Sequence, residues 1–162
     1  MDNANTQAKQ SDTPRFRFDT SKIKWKPFLT DGCYYRVLHV DVPAKTAEML
    51  VKFDPHCQCL NHRHTAVVST LVLEGEQRIH DYTPQGEVVR VKPAGTYSVG
   101  GVGEVHVEGG GEDGAVLLFN MRAPGDVIYE ALDKELRLKR AITVEDFDRD
   151  WRENWPEDQN KA

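Results

Sequence analysis

His62-Arg63-His64 stands directly before an apolar run, Val67–Leu73, that ends in Leu73-Glu74-Gly75-Glu76. On an extended strand, side chains alternate with a period of two, so His62 and His64 point to the same face. Two neutral imidazoles aimed at one point can hold a divalent transition metal. The remaining ligands then decide whether such a site is structural or catalytic. Cys57-Gln58-Cys59, just upstream, offers one set: with His62 and His64 it would make a Cys₂His₂ zinc site. On a regular strand, however, positions 57 and 59 share one face and positions 62 and 64 the other. A Cys-x-Cys redox pair is a further reading of the same residues.

The elements that must carry these residues are mostly short strands. Tyr34–Val40 alternates, Met49–Phe53 ends at Asp54-Pro55, and Val67–Leu73 is closed by Glu74-Gly75 read as a turn. Gln77–Tyr82 and Val88–Lys92 flank Thr83-Pro84-Gln85-Gly86, which is hairpin chemistry. Ala115–Met121 reads as a last apolar strand before Pro124-Gly125, and the glycines at 100, 101, 103, 109, 110, 111 and 114 read as loop punctuation. Such spacing predicts an all-β sandwich or barrel. Helical periodicity comes only late: Val144, Phe147, Trp151 and Trp155 form one apolar stripe, with Thr143 as N-cap, Glu145 and Asp146 in the first turn, and Pro156 at the end. A stripe this aromatic must dock on the barrel or on a second subunit.

A length of 162 residues fits one domain with a core. The organisation expected is a flexible tail over residues 1–14, a barrel domain over 15–140 and a helix over 141–156. The net charge of −5 and the lack of a basic stripe argue against a nucleic-acid surface. No apolar run approaches the roughly 20 residues of a membrane span. Met1–Pro14 is polar, without the apolar stretch of a secretion signal, and the cysteines number three. A cytoplasmic protein with reduced thiols is the expectation.

Taken together, the motifs resemble the cupin superfamily, small jelly-roll β-barrels with a metal at the centre. The first cupin motif runs from a glycine through His-x-His and a glutamate to a second glycine. His62, His64 and Gly75 fall at the expected separations, while His56 stands at the leading glycine position and Val68 at the glutamate position. The second motif, Pro-x-Gly followed by a histidine, is met by Pro93-Ala94-Gly95, with Ser98 at the histidine position. The resemblance spans roughly residues 30–121 and implies an all-β single cupin barrel with an N-terminal extension and a short C-terminal helix. It further implies that the usual glutamate is lost and the third histidine displaced to His106.

A three-histidine site of this kind is similar to the acetylacetone-cleaving and dihydroxyacetophenone dioxygenases among the cupins. The implied metal is Fe(II), held by His62, His64 and His106, with zinc, manganese or nickel as alternatives. Three neutral imidazoles leave three octahedral positions for a chelating substrate and O₂. The implied substrate is a small ketone or diketone, cleaved at a C–C bond next to a carbonyl. Thr70, His80 and Ser98 are the candidate polar pocket residues, Tyr97, Phe119 and Met121 the candidate apolar walls, and Glu104 the candidate partner of His106. Two other readings stand beside this one: a non-enzymatic, sensor-type cupin such as those in some anti-sigma factors, and another metal-dependent cupin enzyme, an isomerase or hydrolase. A homodimer or higher homo-oligomer is expected in each case.

Overall fold

The computed structural model describes residues 19–159; the tail expected over residues 1–14 lies outside them. The strands are β1 (Lys26–Pro27), β2 (Cys33–Asp41), β3 (Thr46–Phe53), β4 (His62–His64), β5 (Val67–Thr83), β6 (Gly86–Pro93), β7 (Tyr97–Gly100), β8 (Val105–Arg122), β9 (Val127–Leu132) and β10 (Leu138–Thr143). One helix, α1 (Val144–Asn154), follows, and a 3-10 turn covers Pro156–Asp158. The order β1-β2-β3-β8-β4-β9-β10 forms a curled sheet, and β5 pairs with β8 on one side and with β6 and β7 on the other. This is the all-β barrel with a short C-terminal helix that the sequence predicts.

β8 is the strand on which the barrel turns. Its second half pairs with β3, from Phe53↔Ala115 to Thr46↔Arg122, and with the first half of β5. Its first half pairs with β4 through His62↔His106 and with the second half of β5 through His80↔Val107. One strand can serve both halves because its middle is glycine. A Cβ on Gly109 would stand 2.5 Å from the carbonyl oxygen of Cys57. Gly75, at φ +66°, passes within 2.1 Å (Cβ position) of the Gly114 carbonyl oxygen. No L side chain fits either place.

Three expectations are corrected here. Glu74-Gly75 is not a turn: β5 runs straight through it, with register shifts at Val72/Glu74 and Gly75/Gln77. Bulge and turn draw on the same residue chemistry, so composition cannot separate them. Glycines 109, 110, 111 and 114 lie within β8 rather than in loops. Ala115–Met121 is not in the last strand, because β9 and β10 pair with each other and β9 covers β4. Their residues alternate poorly, since β9 is buried at four of six positions and β10 opens on three exposed residues in a row.

α1 forms with the cap and stripe its sequence predicts, but over Val144–Asn154 rather than 141–156, residues 141–143 belonging to β10. Thr143 caps it, accepting from the Asp146 backbone N–H at 3.1 Å, and the Asp146 carboxylate accepts in return from the Thr143 backbone N–H at 3.0 Å. Val144, Phe147 and Trp151 are buried on one face. Trp155 is fully buried, edge-on to Tyr35 at 5.9 Å, and its indole N–H donates to the Lys24 carbonyl at 3.1 Å. The stripe docks on this chain's own barrel. Trp155→Ala is expected to lower stability by about 3–5 kcal/mol through loss of this packing. Denaturant unfolding checks it, and a change below 1 kcal/mol would show the helix to be an ornament on the barrel.

Candidate metal centre

β4 has three residues, and they are held from both sides. Arg63 pairs across to Val105 of β8 and Glu130 of β9, and His62 lies between His106 and Ala131. The His64 backbone N–H donates to the Glu104 carbonyl at 2.9 Å, and the Gly103 N–H donates to the His64 carbonyl at 2.7 Å. This clamp fixes the direction of both rings. His62 and His64 share the inward face, and His106 and Glu108 share the inward face of β8 by the same two-residue period. All four side chains are buried, and one ligand atom from each lies within 4.8 Å of the others.

The Nε2 atoms of His62 and His64 are 3.1 Å apart, and those of His64 and His106 are also 3.1 Å apart. The Nδ1 of His62 lies 3.2 Å from the Leu60 carbonyl oxygen, which can only accept. Nδ1 therefore carries the proton and Nε2 presents its lone pair to the group. The Nδ1 atoms of His64 and His106 are buried without partners, so the inward contact is the polar contact these rings have. Lone pairs this close repel unless a proton or a cation lies between them. Two ligands at right angles on bonds of about 2.1 Å sit about 3.0 Å apart, against about 3.4 Å for a tetrahedron. The observed spacing fits the former, and three imidazoles with one carboxylate carry a charge of −1 that complements a divalent ion.

Glu108 is the residue that sequence reasoning missed. The expectation that the glutamate is lost is corrected: Val68 does occupy a buried wall position, but a carboxylate reaches the group from β8 instead. Its Oε1 lies 3.3 Å from His106 Nε2 and accepts from the buried amide of Gln77 at 3.0 Å. The signal was present in the chain, since His106-Val107-Glu108 repeats the spacing of His62-Arg63-His64. Burial alone would raise the Glu108 carboxyl; the His106 contact and the surrounding imidazoles outweigh it and hold it down to about 2. Burial, and then the neighbouring His62, push His64 down to about 3, and burial likewise lowers His62.

Of the expected pocket residues, Thr70 is buried and Ser98 lies opposite it on β7, and both line a polar cleft beside the group. His80 does not. The two register shifts in β5 reverse its parity: Val68, Thr70 and Val72 face inward, and then Gln77 and Ile79 do. His80 faces outward, bonded to Glu87 at 2.6 Å and to Gln58 at 2.9 Å. Phe119 and Met121 are walls of an apolar cavity on the other side of the group, which Phe28, Met49, Phe53 and Tyr129 also line. Tyr97 is not a wall but is largely exposed. Glu104 stands 4.0 Å from His106 Nδ1, beyond hydrogen-bond reach.

The cysteines do not join the donor group. Cys59 Sγ touches His62 at Nδ1, the nitrogen turned away from the centre, at 3.6 Å. Burial raises the Cys33 thiol to about 12 and pushes that of Cys59 well up, so neither is a ready thiolate.

A family model described as the ChrR cupin-like domain matches residues 13–124. The chain belongs to this cupin family. Solved cupin structures share its fold at low identity. An acetylacetone dioxygenase from Acinetobacter johnsonii superposes with a TM-score of 0.68 at 13% identity, covering 95% of this chain and 99% of that one. An RmlC-like cupin from Ralstonia eutropha gives 0.64 at 17% identity, covering 83% and 85%. The DMSP lyase DddQ from Ruegeria pomeroyi gives 0.53 at 15% identity, covering 65% and 59%. These likenesses establish the fold, and their differing names show that this cupin's reaction must be argued from its site. No curated protein matches the chain significantly. No helix among the described residues is long and apolar enough to cross a membrane.

The metal-free protein is expected to lose stability as pH falls below about 6.5. The unfolded chain protonates its histidines near that ordinary value. In the folded chain burial keeps His62 and His64 neutral to lower pH, so the unfolded state binds more protons across the interval. Glu108 adds to the loss below its ordinary 4.5, because its stabilising ionised form disappears towards 2. Thermal midpoints between pH 7.5 and 5 check this: wild type should fall, His64→Gln should fall less steeply, and a flat wild-type profile would contradict the burial of neutral rings.

Proposed function

We propose that the protein is a metal-dependent, non-haem Fe(II) dioxygenase that cleaves a C–C bond beside a carbonyl in a small diketone or hydroxyaryl ketone. The observation that carries this reading is the convergence of His62, His64, His106 and Glu108 at a point between an apolar cavity and a polar cleft. The overall likeness to an acetylacetone dioxygenase supports it. A divalent ion held by these four side chains would supply a Lewis-acidic, redox-capable centre with two octahedral positions open, room for a chelating substrate, or for one substrate oxygen beside O₂.

The residues of the chain do the rest. Glu108 offsets one unit of the ion's charge, and a β-diketone enolate still meets a net positive centre. Gln77 holds the Glu108 carboxylate in place through its amide. Leu60 fixes the tautomer of His62. Phe53, Phe119 and Met121 keep water from one side of the bound substrate.

A second reading has its own observation. Four buried protein donors are also what a closed, four-coordinate zinc site uses, which would make the chain a sensor-type metal module without catalysis. Metal analysis of protein purified without chelators, followed by O₂ uptake with pentane-2,4-dione after Fe(II) loading, separates the two. The dioxygenase reading predicts stoichiometric O₂ consumption, abolished in His106→Ala together with most of the bound metal. Glu108→Gln is expected to retain some metal but to lower its affinity by more than about 10- to 100-fold, the range for groups that only support a ligand. Tightly held zinc and no O₂ uptake with any diketone would instead establish the sensor-type reading.

A further inference from the structure

Two chemically different spaces meet at the donor group. One is walled by Phe53, Phe119, Met121 and their apolar neighbours. The other, bounded by His64 and His106 on the metal side, is lined by Thr70, Gln77, Arg90, Lys92 and Ser98. Arg90 and Lys92 lie on the same face of β6, two residues apart. They are not equivalent. The Arg90 guanidinium is already committed, donating twice to the Asp81 carboxylate at 2.5 and 3.1 Å. Lys92 is half-buried and has no carboxylate partner among the described residues; its ammonium donates to the Ser98 hydroxyl at 2.8 Å. Burial and the nearby Arg90 both disfavour its charge. Glu108, Glu104 and Asp81 offset part of this without reaching ion-pair distance, and an anion entering the cleft would give the ammonium the direct partner it lacks.

Glu104 also lines this cleft, but its carboxylate is 43% exposed at the rim and accepts from the Gly101 backbone N–H at 3.3 Å. It does not meet Lys92. With a divalent ion in place, three imidazoles and the Glu108 carboxylate leave a net charge of +1, and the Lys92 ammonium adds a second positive charge inside the cleft, offset only by Glu104 at its exposed rim. A neutral diketone, bound as its enolate, balances one of these charges. A diketone with a carboxylate at one end balances both.

We propose that Lys92, with Ser98 and Thr70 beside it, forms a carboxylate-binding subsite, and that the substrate is a 2,4-dioxo acid. Its two carbonyl oxygens face the metal centre, its alkyl or aryl end occupies the apolar cavity, and its carboxylate meets the Lys92 ammonium. The inference rests on the dioxygenase reading above and specifies its substrate class. Lys92 is a binding residue for the carboxylate end of the molecule.

Isothermal calorimetry on zinc-loaded protein, which does not turn over, measures this without activity. The probes are pentane-2,4-dione and 2,4-dioxopentanoate, which differ in the terminal carboxylate. The acid is expected to bind about 10- to 100-fold more tightly, the range of one charge-assisted hydrogen bond. Lys92→Met should remove the difference between the two ligands and Lys92→Arg should retain most of it, with metal content and thermal midpoint confirming that both variants are folded and loaded. Equal affinities in wild type, or a preference that survives in Lys92→Met, would overturn the subsite while leaving the diketone reading intact. Failure of both ligands to bind the loaded protein would overturn the diketone reading and the subsite with it.

Discussion

Three ring nitrogens and one carboxylate are brought together in a buried space between two clefts. The Nε2 atoms of neighbouring rings stand 3.1 Å apart, and beyond them His106 Nε2 meets only the Glu108 carboxylate, so a proton or a cation must lie between the facing nitrogens. The backbone pairing of β4 with β8 and β9 holds the group in place. A divalent ion at this point would take up the facing lone pairs. The low tendency of His62 and His64 to protonate follows from the same burial and keeps their lone pairs available.

The architecture serves that constraint. A strand of three residues would not hold its register alone, so β4 is clamped between β8 and β9. β8 in turn reaches both halves of the barrel because Gly109 and Gly114 let other backbone pass where a side chain would collide. The C-terminal helix lies away from the chemistry. Its indole and phenyl rings close the outside of β2 and the β9–β10 pair, through contacts of Trp155 with Tyr35 and of Phe147 with Tyr129. Tyr129 also lines the apolar cavity beside the donor group, which connects the packing of the helix to the wall of the site.

Much of this was legible in the chain, for local reasons. His62-x-His64 needs only the period of a strand, and the helix announced itself through a capping threonine and a stripe at three- and four-residue steps. The hairpin at Thr83–Gly86 followed from its turn residues and is present in register. Less legible was whatever depended on long-range registry. The facing of His80 was set by two bulges near Gly75, and bulges leave no mark that distinguishes them from turns. Glu108 was overlooked because the resemblance directed attention to Val68 as the carboxylate position, although the two-residue step from His106 was visible. β9 and β10 escaped notice because a strand covered on most positions, or opening on a run of exposed residues, loses the alternation that marks a half-buried one. The cation pair of β6 gained meaning only once its edge strand was seen to border the centre.

The central claim is that one divalent ion is bound by the four side chains His62, His64, His106 and Glu108. X-ray absorption spectroscopy at the metal edge of the loaded protein tests it most directly. The account predicts a shell of nitrogen and oxygen scatterers at about 2.0–2.2 Å, with the outer-shell signature of three imidazole rings. A sulfur scatterer at about 2.3 Å, which would place Cys59 or Cys57 on the metal, or a signature of fewer than three rings, would contradict it.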